Sequence, residues 1–190
     1  MITFKHWLTS IFFVFIKPIP FTFKQITKDV KGVLGASIAW VASITGFMVI
    51  SIGLTGHYAD GFLFTLIISI TIFPIWFLLF VFLQEFLNKK IFHRKTSYYE
   101  KLLFSTAIIF VINVILDTVY FLVNYQNILI ELALYIYLVV LFIISFYSIT
   151  KAKIWQSIVI VILALVVSVG SLLFIGLYLM SLIQTVPSMF

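Results

Sequence analysis

Two carboxylates sit where carboxylates are costly. Asp117 lies six residues from the end of an apolar run, and Glu131 lies four residues into the next run. At 1.5 Å of rise per residue, these positions fall about 9 Å and about 6 Å below the same end of a pair of helices. Asn113, Asp117 and Tyr120 follow at i, i+4 and i+7, which puts them on one helix face, and Asn124 continues it. The turn 124–127 is short, so the two helices are antiparallel neighbours, and Tyr135 follows Glu131 by one helical turn. This spacing predicts a polar site formed by Asn113, Asp117, Tyr120, Glu131 and Tyr135. No Lys or Arg occurs on that side to pair with the two acids. Burial without a cation, and a second carboxyl nearby, both favour the protonated form. Two chemistries fit: a site that carries protons or binds a cation, or a structural network in which Asp117 bonds to Tyr and Asn while Glu131 reaches the surface.

The runs holding these acids belong to a series. Hydrophobic residues make up 64% of the chain and charged residues 9%. A soluble domain carries about 25% charged residues. Continuous apolar runs of helical length occur at about 33–54, 61–87, 102–123, 128–149 and 154–183. Each reaches the roughly 20 residues that a helix needs to cross a bilayer. The expected fold is all-α, a polytopic membrane bundle of five transmembrane helices (32–190) behind an N-terminal interfacial segment (1–31). Pro74 is expected to kink the second span and to free the carbonyl of Ile70. Gly46, Gly53, Ser168 and Ser171 offer small surfaces for close helix packing.

The twelve Lys and Arg divide sharply. Five precede the first run, five lie between the second and third (Lys89, Lys90, Arg94, Lys95 and Lys101), and Lys151 and Lys153 lie between the fourth and fifth. The alternate connections carry none. The positive-inside rule then places the N-terminus in the cytoplasm and the C-terminus outside. Abundant Ile, Phe, Lys and Asn suit an AT-rich bacterial genome, and hence a bacterial cytoplasmic membrane.

Within 1–31, the stretch 7–16 is too short to span and is expected to lie in the interface, anchored by Trp7 and a Phe cluster. It ends at Lys17-Pro18 and has no small-residue cleavage site. Thr22 and Gln25 have the spacing of a capping box, as do Ser97 and Glu100. The helix after Thr22 splits Phe23, Ile26 and Val30 from Lys24, Lys28 and Lys31. That pattern predicts an interfacial helix with its apolar face in the acyl boundary and its lysines on anionic head groups. Lys89, Lys90, Arg94 and Lys95 are expected to extend the same lipid-facing basic surface. Glu85 and Lys89 are spaced for an i, i+4 ion pair.

Signatures of catalysis are missing from the sequence: no H-E-x-x-H, G-x-S-x-G or phosphate-binding Gly-rich loop occurs. His6, His57 and His93 fall on two sides of the expected membrane and cannot share a metal. There is no cysteine. No enzyme activity, metal or cofactor is expected. The net charge of +6 flanks apolar runs and is explained by lipid, so nucleic acid is not an expected partner. The expected partners are the bilayer, anionic lipid head groups, and a membrane protein or a second copy of the chain.

Three segments resemble one family. Lys17-Pro-Ile-Pro-Phe-Thr-Phe-Lys-Gln-Ile26, the basic link 92–103 with Thr96-Ser-Tyr-Tyr-Glu100, and Trp155 behind Thr150-Lys-Ala-Lys153 look like the bacterial branch of the Yip (Ypt-interacting protein) family of five-span membrane proteins. The resemblance implies five spans, a cytoplasmic N-terminus and a role in organising membrane lipids or partner proteins. Eukaryotic members bind Rab-type GTPases. Their Asp-Leu-Tyr-Gly-Pro element is missing here, so no GTPase-binding residue is carried over. Two other functions fit the residues: a small permease or ion-coupled carrier using Asp117 and Glu131, and an immunity protein against a membrane-active peptide.

Overall fold

The computed structural model describes residues 4–28, 30, 73–93, 96–122 and 128–185. The secondary structure of these residues is helical. The helices are α1 (Phe4–Ile16), α2 (Pro20–Ile26), α3 (Phe73–Phe92), α4 (Tyr99–Leu122), α5 (Ile128–Thr150) and α6 (Ile154–Thr185). The expected first span, the start of the second, and the atoms that Pro74 would free lie outside the described residues, as do Gly46 and Gly53.

The last four helices pack as a ring: α3 on α4, α4 on α5, α5 on α6, and α6 back on α3. Short connections make sequential neighbours antiparallel. Phe80 stands near the centre, its ring 5.1 Å from Phe142 of α5 in an edge-on arrangement and 5.7 Å from Trp76 in a stacked one. α4 is buried on all sides from Leu102 to Phe110. Its neighbours in the ring cover part of that surface and α1 covers more, turning Ser10, Ile11 and Val14 inward.

Two helices, α5 and the 154–171 part of α6, are long and apolar enough to cross a membrane. The outward face of α6 is as apolar as its inward one. The inward stripe of α6 is Ser157, Ile160, Val161, Ala164 and Ser168, whereas Ile158, Val159, Ile162, Leu163, Val166 and Val167 face outward. Small and hydroxylated residues meet neighbouring helices, which is how helices associate when their surroundings are as apolar as leucine. Ser105 of α4 and Ser145 of α5 show the same principle, with their hydroxyls 2.7 Å apart in a buried bond.

The helix ends depart from the expected caps. α2 starts at Pro20, with Ile19 at the N-cap and no side-chain cap bond, so Thr22 is a buried helical residue and not a cap. Proline at the first helical position has its φ already set and lacks the N–H that a cap would serve. At the start of α6, Gln156 Oε1 accepts the backbone N–H of Lys153 at 2.9 Å, half of a capping box without a hydroxyl partner. α3 and α5 are followed by His93 (φ 52°) and Lys151 (φ 53°) in the left-handed region, where glycine is usual. The cation of Lys151 meets the negative end of the α5 dipole.

The face of α2 also differs from expectation. Phe23 and Ile26 are buried against α5, not laid into acyl chains, while Lys24 and Lys28 are exposed as predicted. Lys31 lies outside the described residues. The tuck is held by Ser148, whose hydroxyl donates to the carbonyl of Pro20. α1 likewise packs along α4 and buries one face in protein.

Phe80→Ala should lower resistance to denaturation by about 1–3 kcal/mol. In lipid the transfer term of a core truncation shrinks and the cavity term remains. Phe86→Ala, on the outward face of α3, should change it by less than about 0.5 kcal/mol. Denaturation of the reconstituted protein by titrated sodium dodecyl sulfate, followed by circular dichroism, measures both.

Candidate functional site

One end of the ring gathers polar groups. The ring of Phe92 at the end of α3 meets Trp155 at the start of α6 edge-on, 5.5 Å between centroids. Their contact sets the α3–α4 and α5–α6 connections at the same end. The segment after α1 crosses there as well. Pro20 and Lys24 line a depression with Tyr147, Ser148 and Lys151, and Val30 lines another with Ser97, Tyr98 and Lys101. The described lysines of this end are therefore Lys17, Lys24, Lys28, Lys89, Lys90, Lys101, Lys151 and Lys153.

Beneath the lysines, α3 turns Gln84, Glu85 and Asn88 inward, all less than 10% exposed. Glu85 is the organising group. Its two carboxylate oxygens accept the backbone N–H of Tyr98 at 3.2 and 3.3 Å, and Oε1 pairs with Lys89 at 3.0 Å. The ion pair was expected from sequence. The cap was not. Tyr98, and not Ser97, is the N-cap of α4, because its carbonyl accepts the first intrahelical bond, from Leu102. A carboxylate supplied by α3 thus satisfies a donor at the positive end of α4. Tyr99 follows, its phenol pushed above the ordinary value of 10.0 by burial and so neutral at physiological pH.

Asn88 is fully buried, and among the described residues neither atom of its amide has a hydrogen-bond partner. A buried polar group left unmade costs about 1–3 kcal/mol. Its signal in the sequence was the run Gln84, Glu85 and Asn88 at i, i+1 and i+4 inside an apolar segment.

Of the five residues expected to form the acidic site, the side chains of three are described. Asn113 is half-buried on α4, while Glu131 and Tyr135 are on an exposed face of α5. Asp117 and Tyr120 belong to α4, but their side chains lie outside the described set, as do Arg94 and Lys95. Lys89 is 42% exposed in its ion pair and Lys90 is exposed. Among the described residues, no three His, Asp or Glu gather into a group that could hold a metal.

No family model, curated protein or solved structure matches the chain.

Glu85→Ala should destabilise the protein by about 1–3 kcal/mol, because it orphans the Tyr98 N–H and leaves a gap. Glu85→Gln keeps an acceptor and should retain most of that stability. Lys89→Met, which removes only the partly exposed partner, should cost less than about 1 kcal/mol. Comparing the three variants by detergent titration checks the ranking.

Proposed function

We propose that the chain is a five-span, Yip-like integral protein of a bacterial cytoplasmic membrane. The end of the ring that carries the lysines is cytoplasmic and the C-terminus is extracytoplasmic. The protein is non-enzymatic, and its basic cytoplasmic end organises anionic lipids and the proteins around them. The observation that carries this reading is the gathering of eight lysines, from Lys17 to Lys153, at one end of a bundle whose long helices turn apolar residues outward. Lysines at such a position attract anionic head groups by about 1 kcal/mol each. The carrier reading needs Asp117 and Glu131 in one pocket, and the exposed position of Glu131 on α5 does not favour it.

The chain has no native cysteine, which suits single-cysteine labelling. In intact cells, an impermeant thiol reagent should label cysteines placed at 57 and 188 and miss one placed at 93. Membrane patches excised with an amphipathic polymer should hold more anionic lipid around the native protein than around a Lys24→Gln/Lys28→Gln/Lys90→Gln variant. Labelling of position 93 from outside would reverse the topology, and equal lipid composition would remove the lipid-organising role.

A further inference from the structure

Two depressions lie side by side on α1, one mixed in character and one apolar. The first, about 350 Å³, has a mixed lining in which Lys17, Gln25 and Thr9 stand with Phe13, Ile19 and Phe21. The second, about 670 Å³, is almost wholly apolar and lined by Leu8, Ile11, Phe12, Phe15 and Ile115 together with Thr9 and Phe13. Thr9 and Phe13 line both, so the two depressions adjoin along α1. Each volume lies in the roughly 300–1,000 Å³ range of ligand sites.

We propose that these adjoining depressions bind one anionic phospholipid, its phosphate at Lys17 and an acyl chain along the outer face of α1. The proposal rests on the membrane reading above and adds a site and a ligand class to it.

Charge complementarity selects the occupant. Lys17 is exposed, makes no ion pair among the described residues, and no acidic residue lines either depression. Gln25, which is exposed, lines the same depression as Lys17 and adds an amide donor to its cation. The groove runs from Phe15 to Leu8, about 10 Å at 1.5 Å per residue. It leads away from the basic end, toward the middle of a leaflet about 15 Å deep. The separation of a depression with a cation from an apolar one matches the two ends of a phospholipid. A helix from a partner protein would leave the cation unused.

The test uses the full chain in phosphatidylcholine vesicles, with a bimane label at Phe12→Cys beside the groove and, separately, at Val159→Cys on the outward face of α6. Brominated phosphatidylglycerol and brominated phosphatidylcholine are titrated as quenchers. At position 12, phosphatidylglycerol should quench at about fivefold lower mole fraction than phosphatidylcholine, as one lysine at the surface predicts. At position 159 the two lipids should be equivalent. Lys17→Gln should abolish the preference, and Leu8→Trp, which fills the groove, should do the same if Lys17→Gln folds poorly. Excess inorganic phosphate should leave the quenching unchanged.

Equal quenching at position 12 in protein that floats with the vesicles would overturn the site alone. So would an equal preference at 159, displacement by free phosphate, or disulfide-linked dimers through unlabelled Phe12→Cys showing that a second copy covers the groove. Failure to float would sink the membrane reading as well.

Discussion

The described structure depends on satisfying polar groups inside a bundle whose outer faces are apolar. Along α6 the inward positions are Ser157, Ala164 and Ser168 with two aliphatics, and the outward positions are larger aliphatics. Hydrophobic burial cannot drive helices together when their outward faces are as apolar as their seams. Close packing and interhelical bonds such as Ser105–Ser145 must do so. The same condition explains why hydroxyls bond back to their own helices, as Thr150 does to Phe146 at 2.7 Å and Ser171 does to Val167 at 2.7 Å. A hydroxyl without water nearby takes the nearest carbonyl.

Among the described residues, Gln84, Glu85 and Asn88 gather as buried polar groups at the basic end. Glu85 reaches across from α3 to cap α4, and Lys89 links the carboxylate to the surface. α2 seals the α5 side of this end with Phe23 and Ile26, leaving Lys24 and Lys28 outward. Exposed cations thus stand at one end of an apolar body, and the lipid-organising role proposed for them would use that arrangement.

Much of this was legible in the sequence, and the failures have physical causes. α5 and α6 were expected at 128–149 and 154–183 and occur at Ile128–Thr150 and Ile154–Thr185, because uninterrupted apolar runs between charged turns leave few alternatives. The Glu85–Lys89 pair followed from spacing on one helix. Caps were read less well. A capping box assumes a local partner, whereas the Tyr98 N–H is taken by a carboxylate thirteen positions earlier on another helix. The apolar stripe of α2 was visible, but a stripe does not say whether lipid or protein covers it, and here α5 does. Glu131 and Tyr135 share an exposed face of α5, and which way that face points is set by the rotation of α5 in the ring, which no local pattern encodes.

The most direct measurement is spin-label accessibility along α6. Nitroxides placed singly at 157 to 168 in the reconstituted protein should show high collision rates with oxygen, and low rates with a polar nickel chelate, at 158, 159, 162, 163, 166 and 167. Both rates should fall at 157, 160, 161, 164 and 168. Nickel accessibility at the first set of positions would put water where the bilayer is required, and would contradict the account.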